Sequence, residues 1–432
     1  MRRSLVVVAA VVLLAGCSGI AFDGGSQDLP DNVGVVDNVS YDDSVTVTAD
    51  DGFNESELDV LVDRAMARIE VIRGHAFERT VNIRHRTRTE YRSSSRERPA
   101  VDVRWENQIW EALFLVGQDR DVTAVMDQTR GETVQGYYTP NDGEIVVITD
   151  GDAADIRMET LVHELVHAFQ DQQFGLAGGH QRRDPSTARR GVIEGEAEVV
   201  TERYYERCGS EWDCLDRGSP GGDSSNIDPG VVRLIIHPYQ SGAAFIEQTV
   251  EDGGWEAVDA LHDSYPESTA QIIDPEEYPD SRPVNVTVPD RSSAAWSRLD
   301  HTPEGETVGQ AAIHVMFWQN SIVDVETPYS YSDSLSDGWV GDELVPYENG
   351  DASGYVWTLE WQSADEAREF AEGYRDLLAE RGGMERGPRQ FVISEGPFEG
   401  AYDIRRDGAS VTIVNAPDIE ALTEIHSPAG DG

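Results

Sequence analysis

Apolar residues recur at helical spacing between Glu55 and Ile72, where Leu58, Leu61, Val62, Ala65, Met66 and Ile69 fall on one face, and Asn54 stands in position to cap the first turn. The segment VNIRHRTRTEY that follows alternates and predicts a strand. Helical spacing returns near Asn107–Leu115. Gly136 to Ile148 then gives two short apolar runs on either side of Pro140-Asn141-Asp142-Gly143, a turn sequence, and so predicts a hairpin. Residues 160–173 and about 186–207 predict two helices joined by GLAGGHQRRDP. From Pro238 onward two more helices are expected, separated at Gly253-Gly254.

The pattern changes near the C-terminus. GYVWTLEWQ (354–362) predicts a strand, Ala364–Arg381 an amphipathic helix ending at Gly382, RQFVIS (389–394) a strand, and YDIRRDGASVTIVNA two strands around Asp407-Gly408. Trp357 and Trp361 alternate with Leu359 there, which favours core packing over a binding platform. The class expected is α+β: a mainly helical body over 53–345 with a short antiparallel sheet ahead of the helix at 160, and a small C-terminal α+β region over 346–432.

Charge and the N-terminus add the setting. Asp and Glu number 81 against 34 basic residues, a net charge of -47, and no lysine is present. Such crowding is tolerable where about 1 M salt shortens the screening length to ~3 Å, which points to a salt-saturated habitat and makes nucleic acid an improbable partner. MRRSLVVVAAVVLLAGCSG carries Arg2-Arg3, then an apolar run too short to span a membrane, then Leu-Ala-Gly-Cys. This predicts a signal peptide at 1–16, export by the twin-arginine route, lipidation of Cys17, and an acidic flexible tether over 17–52. The expected location is the extracellular face of the cytoplasmic membrane, held through the lipid alone. Of 3 cysteines, Cys208 and Cys214 remain, and in an exported chain they predict a disulfide. Asn38, Asn54 and Asn285 each begin an Asn-x-Ser/Thr sequon.

The chemistry is concentrated in TLVHELVHAFQDQQFG. His163 and His167 lie four apart, so one helix face presents both rings to a single zinc at ~2.0–2.1 Å. Glu164, rotated by about 100°, reaches a water on that metal and takes its proton. Leu161, Leu165 and Ala168 give this helix its core-facing stripe. The preceding hairpin offers an edge along which an extended peptide can pair. A third ligand is required, and RRGVIEGEAEVV supplies Glu194, with Glu198 on the same face as the alternative. Gly195 would let this helix approach the first closely. Glu196 and Asp171 are candidates to orient a ligating histidine, and Tyr204, Tyr205, His237 and Tyr239 to donate to an oxyanion.

GYYTPNDGEIVVI, TLVHELVHAFQDQQF, VIEGEAEVV and YPESTAQIIDPEEY together resemble a zincin-type, gluzincin-like family of exported metallopeptidase-like proteins, close to haloarchaeal surface lipoproteins of unknown substrate. The resemblance covers most of residues 100–380. It implies a zincin-like domain at 53–345, one Zn2+ per chain on His163, His167 and Glu194, Glu164 as the catalytic base, and a peptide or protein as substrate. The alternative is a surface protein on the same scaffold that only binds or builds the envelope.

Overall fold

The computed structural model describes residues 32–44, 47, 53–93, 99–149, 157–178, 182–217, 228–325, 327 and 329–428. The expected signal peptide 1–16, Cys17 and the tether up to residue 31 lie outside the described residues. Along the chain the elements are β1 (Val35–Val36), β2 (Val39–Ser40), α1 (Glu55–Arg73), β3 (Asn82–Thr87), α2 (Arg88–Arg92), α3 (Ala100–Ala112), α4 (Val122–Thr133), β4 (Gly136–Thr139), β5 (Glu144–Thr149), α5 (Met158–Phe174) and α6 (Arg183–Glu206). They continue with α7 (Pro229–Asp263), α8 (Thr269–Ile273), β6 (Ser297–Arg298), α9 (Gly309–Gln319), β7 (Trp339–Asn349), β8 (Ala352–Trp361), α10 (Ala364–Glu380), β9 (Met384–Glu385), β10 (Gln390–Ile393), β11 (Gly400–Asp407), β12 (Ser410–Ala416) and α11 (Ile419–Ile425). The chain is therefore mixed α+β. It divides into two compact units: residues 1–93, 130–175 and 200–227, and residues 94–129, 176–199 and 228–432.

In the first unit α1 starts as its sequence dictates. Asn54 accepts from the Glu57 N–H while the Glu57 carboxylate accepts from the Asn54 N–H, and Gly74 closes the other end at φ 79°. Its buried stripe runs through Leu61, Val62, Ala65, Met66 and Ile69. Against it docks the β1–β2 hairpin, whose turn residues Asp37 and Asn38 take φ 45° and 69°. The Gly34 N–H donates to Glu70 Oε2 at 2.7 Å and Arg68 Nε donates to the Tyr41 carbonyl at 2.9 Å. Residues 32–44 therefore depart from the flexible tether expected of them. Val33 and Val36 bury their side chains, and α1 offers buried charges that need backbone partners.

The sheet ahead of α5 has the order β3-β5-β4. The hairpin β4–β5 is antiparallel and turns at Gly143, φ 66°, but β3 joins the far side of β5 in parallel, so the sheet is mixed where an antiparallel one was expected. β5 is central and buried from Ile145 to Thr149, which leaves β4 an edge. α5 packs on β4, β5 and α1 with Leu161, Leu165, Ala168 and Phe169 wholly buried.

The second unit contains an antiparallel seven-stranded sheet of order β6-β7-β8-β12-β11-β10-β9. Residues 346–432 supply only part of it, since β6 and most of β7 precede them. Both faces are covered, as the alternation on β8 requires: Trp357, Leu359 and Trp361 enter the core shared with α9 and α10, while Val356 enters the one shared with α11. Trp361 lies 4.9 Å from Phe370 between ring centroids. α7 begins at Pro229, behind its cap Asp228, not at Pro238, which sits inside the helix. Both prolines carry the first-turn signal, and the acceptor side chain at Asp228 decides between them. The helix is interrupted at Gly254, φ 69° and ψ -169°, at the glycine pair read as a separator.

Buried carboxylates hold the start of α9. Asp342 accepts from the Val308 and Gly309 N–H groups and from the indoles of Trp339 and Trp357. Asp184, 1 % exposed, accepts from the Thr269 N–H and hydroxyl. Burial pushes the Asp184 carboxyl up to about 7 from 3.8, with Asp342 and Glu306 adding to the rise. The folded chain thus keeps a proton that the unfolded chain releases near pH 3.8. The stabilising contribution is full below that pH and is lost as pH rises through about 7. At about 1.4 kcal/mol per pH unit it amounts to on the order of 4 kcal/mol. Burial pushes Glu111 to about 7 and Asp342 to about 6, in the same direction. Melting curves in molar salt will therefore show stability falling from pH 5 to pH 8, and Asp184→Asn will flatten that slope. An unchanged slope would remove Asp184 from the account.

Candidate metal centre

α5 and α6 carry the site. One ligating atom each from His163, His167 and Glu194 all lie within 4.8 Å of one another. The two rings stand 4.8 Å apart between centroids and nearly perpendicular, at 87°. They meet because residues four apart on α5 project from the same face. His167 is buried and His163 and Glu194 are half-buried. The spacing and donor types suit one divalent cation: two neutral imidazoles and a carboxylate are a zinc donor set, and such a set leaves a coordination position open for chemistry.

The tautomer of His167 fits as well. Its Nδ1 lies 2.9 Å from Gln170 Oε1. With the Gln170 amide oxygen as acceptor, Nδ1 would carry the proton and leave the lone pair on Nε2, the form a metal needs. Gln170 is wholly buried and one turn along the same helix. Sequence reasoning passed over it in favour of carboxylates, although its position three residues after His167 was visible.

Glu164 is 7 % exposed. A Cβ placed on Gly136, the first residue of β4, would meet Thr160 Cγ2 at 3.0 Å and Glu164 Cγ at 3.5 Å. The glycine lets the edge strand lie directly over the motif glutamate. Two residues on, the Tyr138 hydroxyl donates to Asp171 Oδ2 at 2.8 Å, so this face of β4 is fixed to α5 at a second point. Burial, and after it Asp171, push the Tyr138 hydroxyl up to about 12, so it stays protonated.

The other sequence candidates have other surroundings. Glu196 is fully buried, and its Oε2 lies 2.7 Å from His262 Nε2, while His262 Nδ1 lies 2.9 Å from the Tyr265 hydroxyl. This buried chain ties α6 to the end of α7, and no spacing in the sequence pointed to His262. Gly195 faces α7. A Cβ on it would meet Gly242 C at 2.2 Å, and one on Gly242 would meet Gly191 O at 2.1 Å, so these glycines bring α6 against α7. The Tyr204 hydroxyl accepts from Arg68 Nη1 at 2.9 Å, and Tyr205 lies beneath the Arg217 guanidinium. His237 is fully buried against Tyr331, and burial holds its imidazole down at about 3, neutral at any ordinary pH. Glu198 and Tyr239 are half-buried on α6 and α7. Cys208 and Cys214 form a disulfide just past α6.

A family described as Domain of unknown function (DUF8575) matches residues 297–426, from β6 through α11, a span that contains neither α5 nor α6. No curated protein and no solved structure matches the chain. Among the described residues no helix is long and apolar enough to cross a membrane.

Proposed function

We propose that this chain is a lipid-anchored extracellular zinc metallopeptidase on a zincin-like scaffold. The observation that carries the reading is the convergence of His163, His167 and Glu194, with Glu164 buried beside β4. Zinc on the three ligands would supply Lewis acidity, polarising the scissile carbonyl and acidifying a water.

The remaining steps belong to the chain. His167 is held as a ligand by its bond to Gln170. β4 has a strand partner on one side only among the described residues, and an extended peptide can add to its other edge as a further strand, its carbonyls and N–H groups paired along Gly136–Thr139. Gly136 brings that edge close to Glu164. The Glu164 carboxylate accepts the proton of the attacking water and returns it to the leaving amine. Burial of Glu164 excludes competing water from this transfer. The export signal and Cys17 would place the activity on the outer membrane face, and the acidic, lysine-free composition suits molar salt there.

Metal analysis of the chain purified in molar salt is expected to give about one zinc per chain, and His163→Ala is expected to give none while its circular dichroism is unchanged. Metal retained by that variant would end the ligand assignment.

A further inference from the structure

Three sequons were visible in the sequence, and the fold treats them differently. Asn54-Glu55-Ser56 lies at the start of α1, where the Asn54 side chain caps the helix and Ser56 belongs to its first turn. Asn38-Val39-Ser40 runs from the tight β1–β2 turn into β2: Asn38 has φ 69°, the Ser40 hydroxyl donates to Asp42, and the Ser40 N–H donates to Asp43. Asn285-Val286-Thr287 lies outside every helix and strand, on an irregular segment. Val286 and Val288 are 6 % and 3 % exposed, whereas Asn285 and Thr287 are exposed. Neither side chain bonds to any described residue. The segment is held from beneath, since the Val284 N–H donates to the Val340 carbonyl at 2.7 Å and the Val288 N–H to Glu343 Oε2 at 2.6 Å.

We infer that Asn285 is the acceptor of an N-linked glycan. Asn285 and Thr287 are exposed on either side of the buried Val286, so the carboxamide and the hydroxyl are both open to solvent. A transferase must reach both groups of a sequon on the surface, whereas the Asn54 carboxamide is engaged in its helix cap and the Ser40 hydroxyl is bonded to Asp42. The co-reactant is a lipid-linked oligosaccharide. Asn285 Nδ2 forms a bond to the anomeric carbon, the bond from that carbon to the lipid phosphate breaks, and the Nδ2 proton passes to a base of the transferase, with no change in oxidation state. In the producing cell this rests on the export reading above. Acceptor geometry does not.

The test has two arms, both read by peptide mass mapping. The chain recovered from producing cells, and the folded chain incubated with a salt-tolerant single-subunit oligosaccharyltransferase and lipid-linked oligosaccharide, should each gain a glycan mass on the peptide containing Asn285. Asn285→Gln and Thr287→Ala should abolish it, and Thr287→Ser should retain it. Gain in the second arm alone would support the site and count against export. No gain in either arm, or gain at Asn38 or Asn54 instead, would overturn the inference.

Discussion

Glu164→Gln will leave the zinc content of the chain unchanged and will lower peptide hydrolysis by about 10²–10⁴-fold, the range over which a positioned general base contributes. The substitution keeps the volume and hydrogen-bonding length of a side chain that is 7 % exposed, so the neighbouring His163 and the close approach of Gly136 survive. It removes only the capacity to take up a proton. Because Glu164 is not among the three grouped ligands, its loss should separate metal binding from turnover. The comparison is turnover of an unstructured protein substrate in molar salt, wild type beside variant, with metal analysis of both. Cleavage that continues undiminished would end Glu164's role as base even if zinc is bound.

Gly242→Ala will cost about 3 kcal/mol or more in stability. The added methyl would sit 2.1 Å from the Gly191 carbonyl oxygen and 2.8 Å from its carbon, and both atoms belong to a helix backbone. A flexible side chain could swing away, but here α6 and α7 must separate. Overpacking ordinarily costs 1–3 kcal/mol, and a rigid backbone obstacle belongs at or above the top of that range. Glu194 lies on α6 between Gly191 and Gly195, the two glycines that face Gly242. The same variant should therefore weaken zinc binding in the fraction that folds. Urea midpoints and zinc titration in molar salt measure the two effects, and a midpoint unchanged from wild type would show that the helices are not in backbone contact.

The pairing of β4 with β5, the run of α5 and the α10–β12 segment were legible because each rests on local signals. These are a turn sequence at 140–143, a stripe of Leu161, Leu165 and Ala168, and an amphipathic helix ending at Gly382 and followed by Asp407-Gly408. That His163 and His167 share one face of α5 followed from spacing alone. What was missed depends on distant contacts. β7 is among the longest strands, but its alternation is broken by Asp342 and Glu343, charges buried because they bond the start of α9 and Arg182. α9 is apolar on nearly every face, so periodicity had nothing to report. The hairpin at 35–40 has strands of only two residues, held by Glu70 and Arg68 from α1, and composition alone made it look unstructured. His262 acquires its partner 66 residues away in sequence, which no motif encodes.

The seven-stranded sheet ends on β6 and β9, each two residues long. In dilute solution a chain with a charge of -47 would keep its copies apart by repulsion over tens of ångströms. Brine removes that protection and drives apolar surfaces together. Stunted terminal strands then become the barrier to aggregation, because they leave too few free backbone groups for a second copy to zip onto. In brine, colloidal stability would then rest on geometry, since charge no longer acts at a distance.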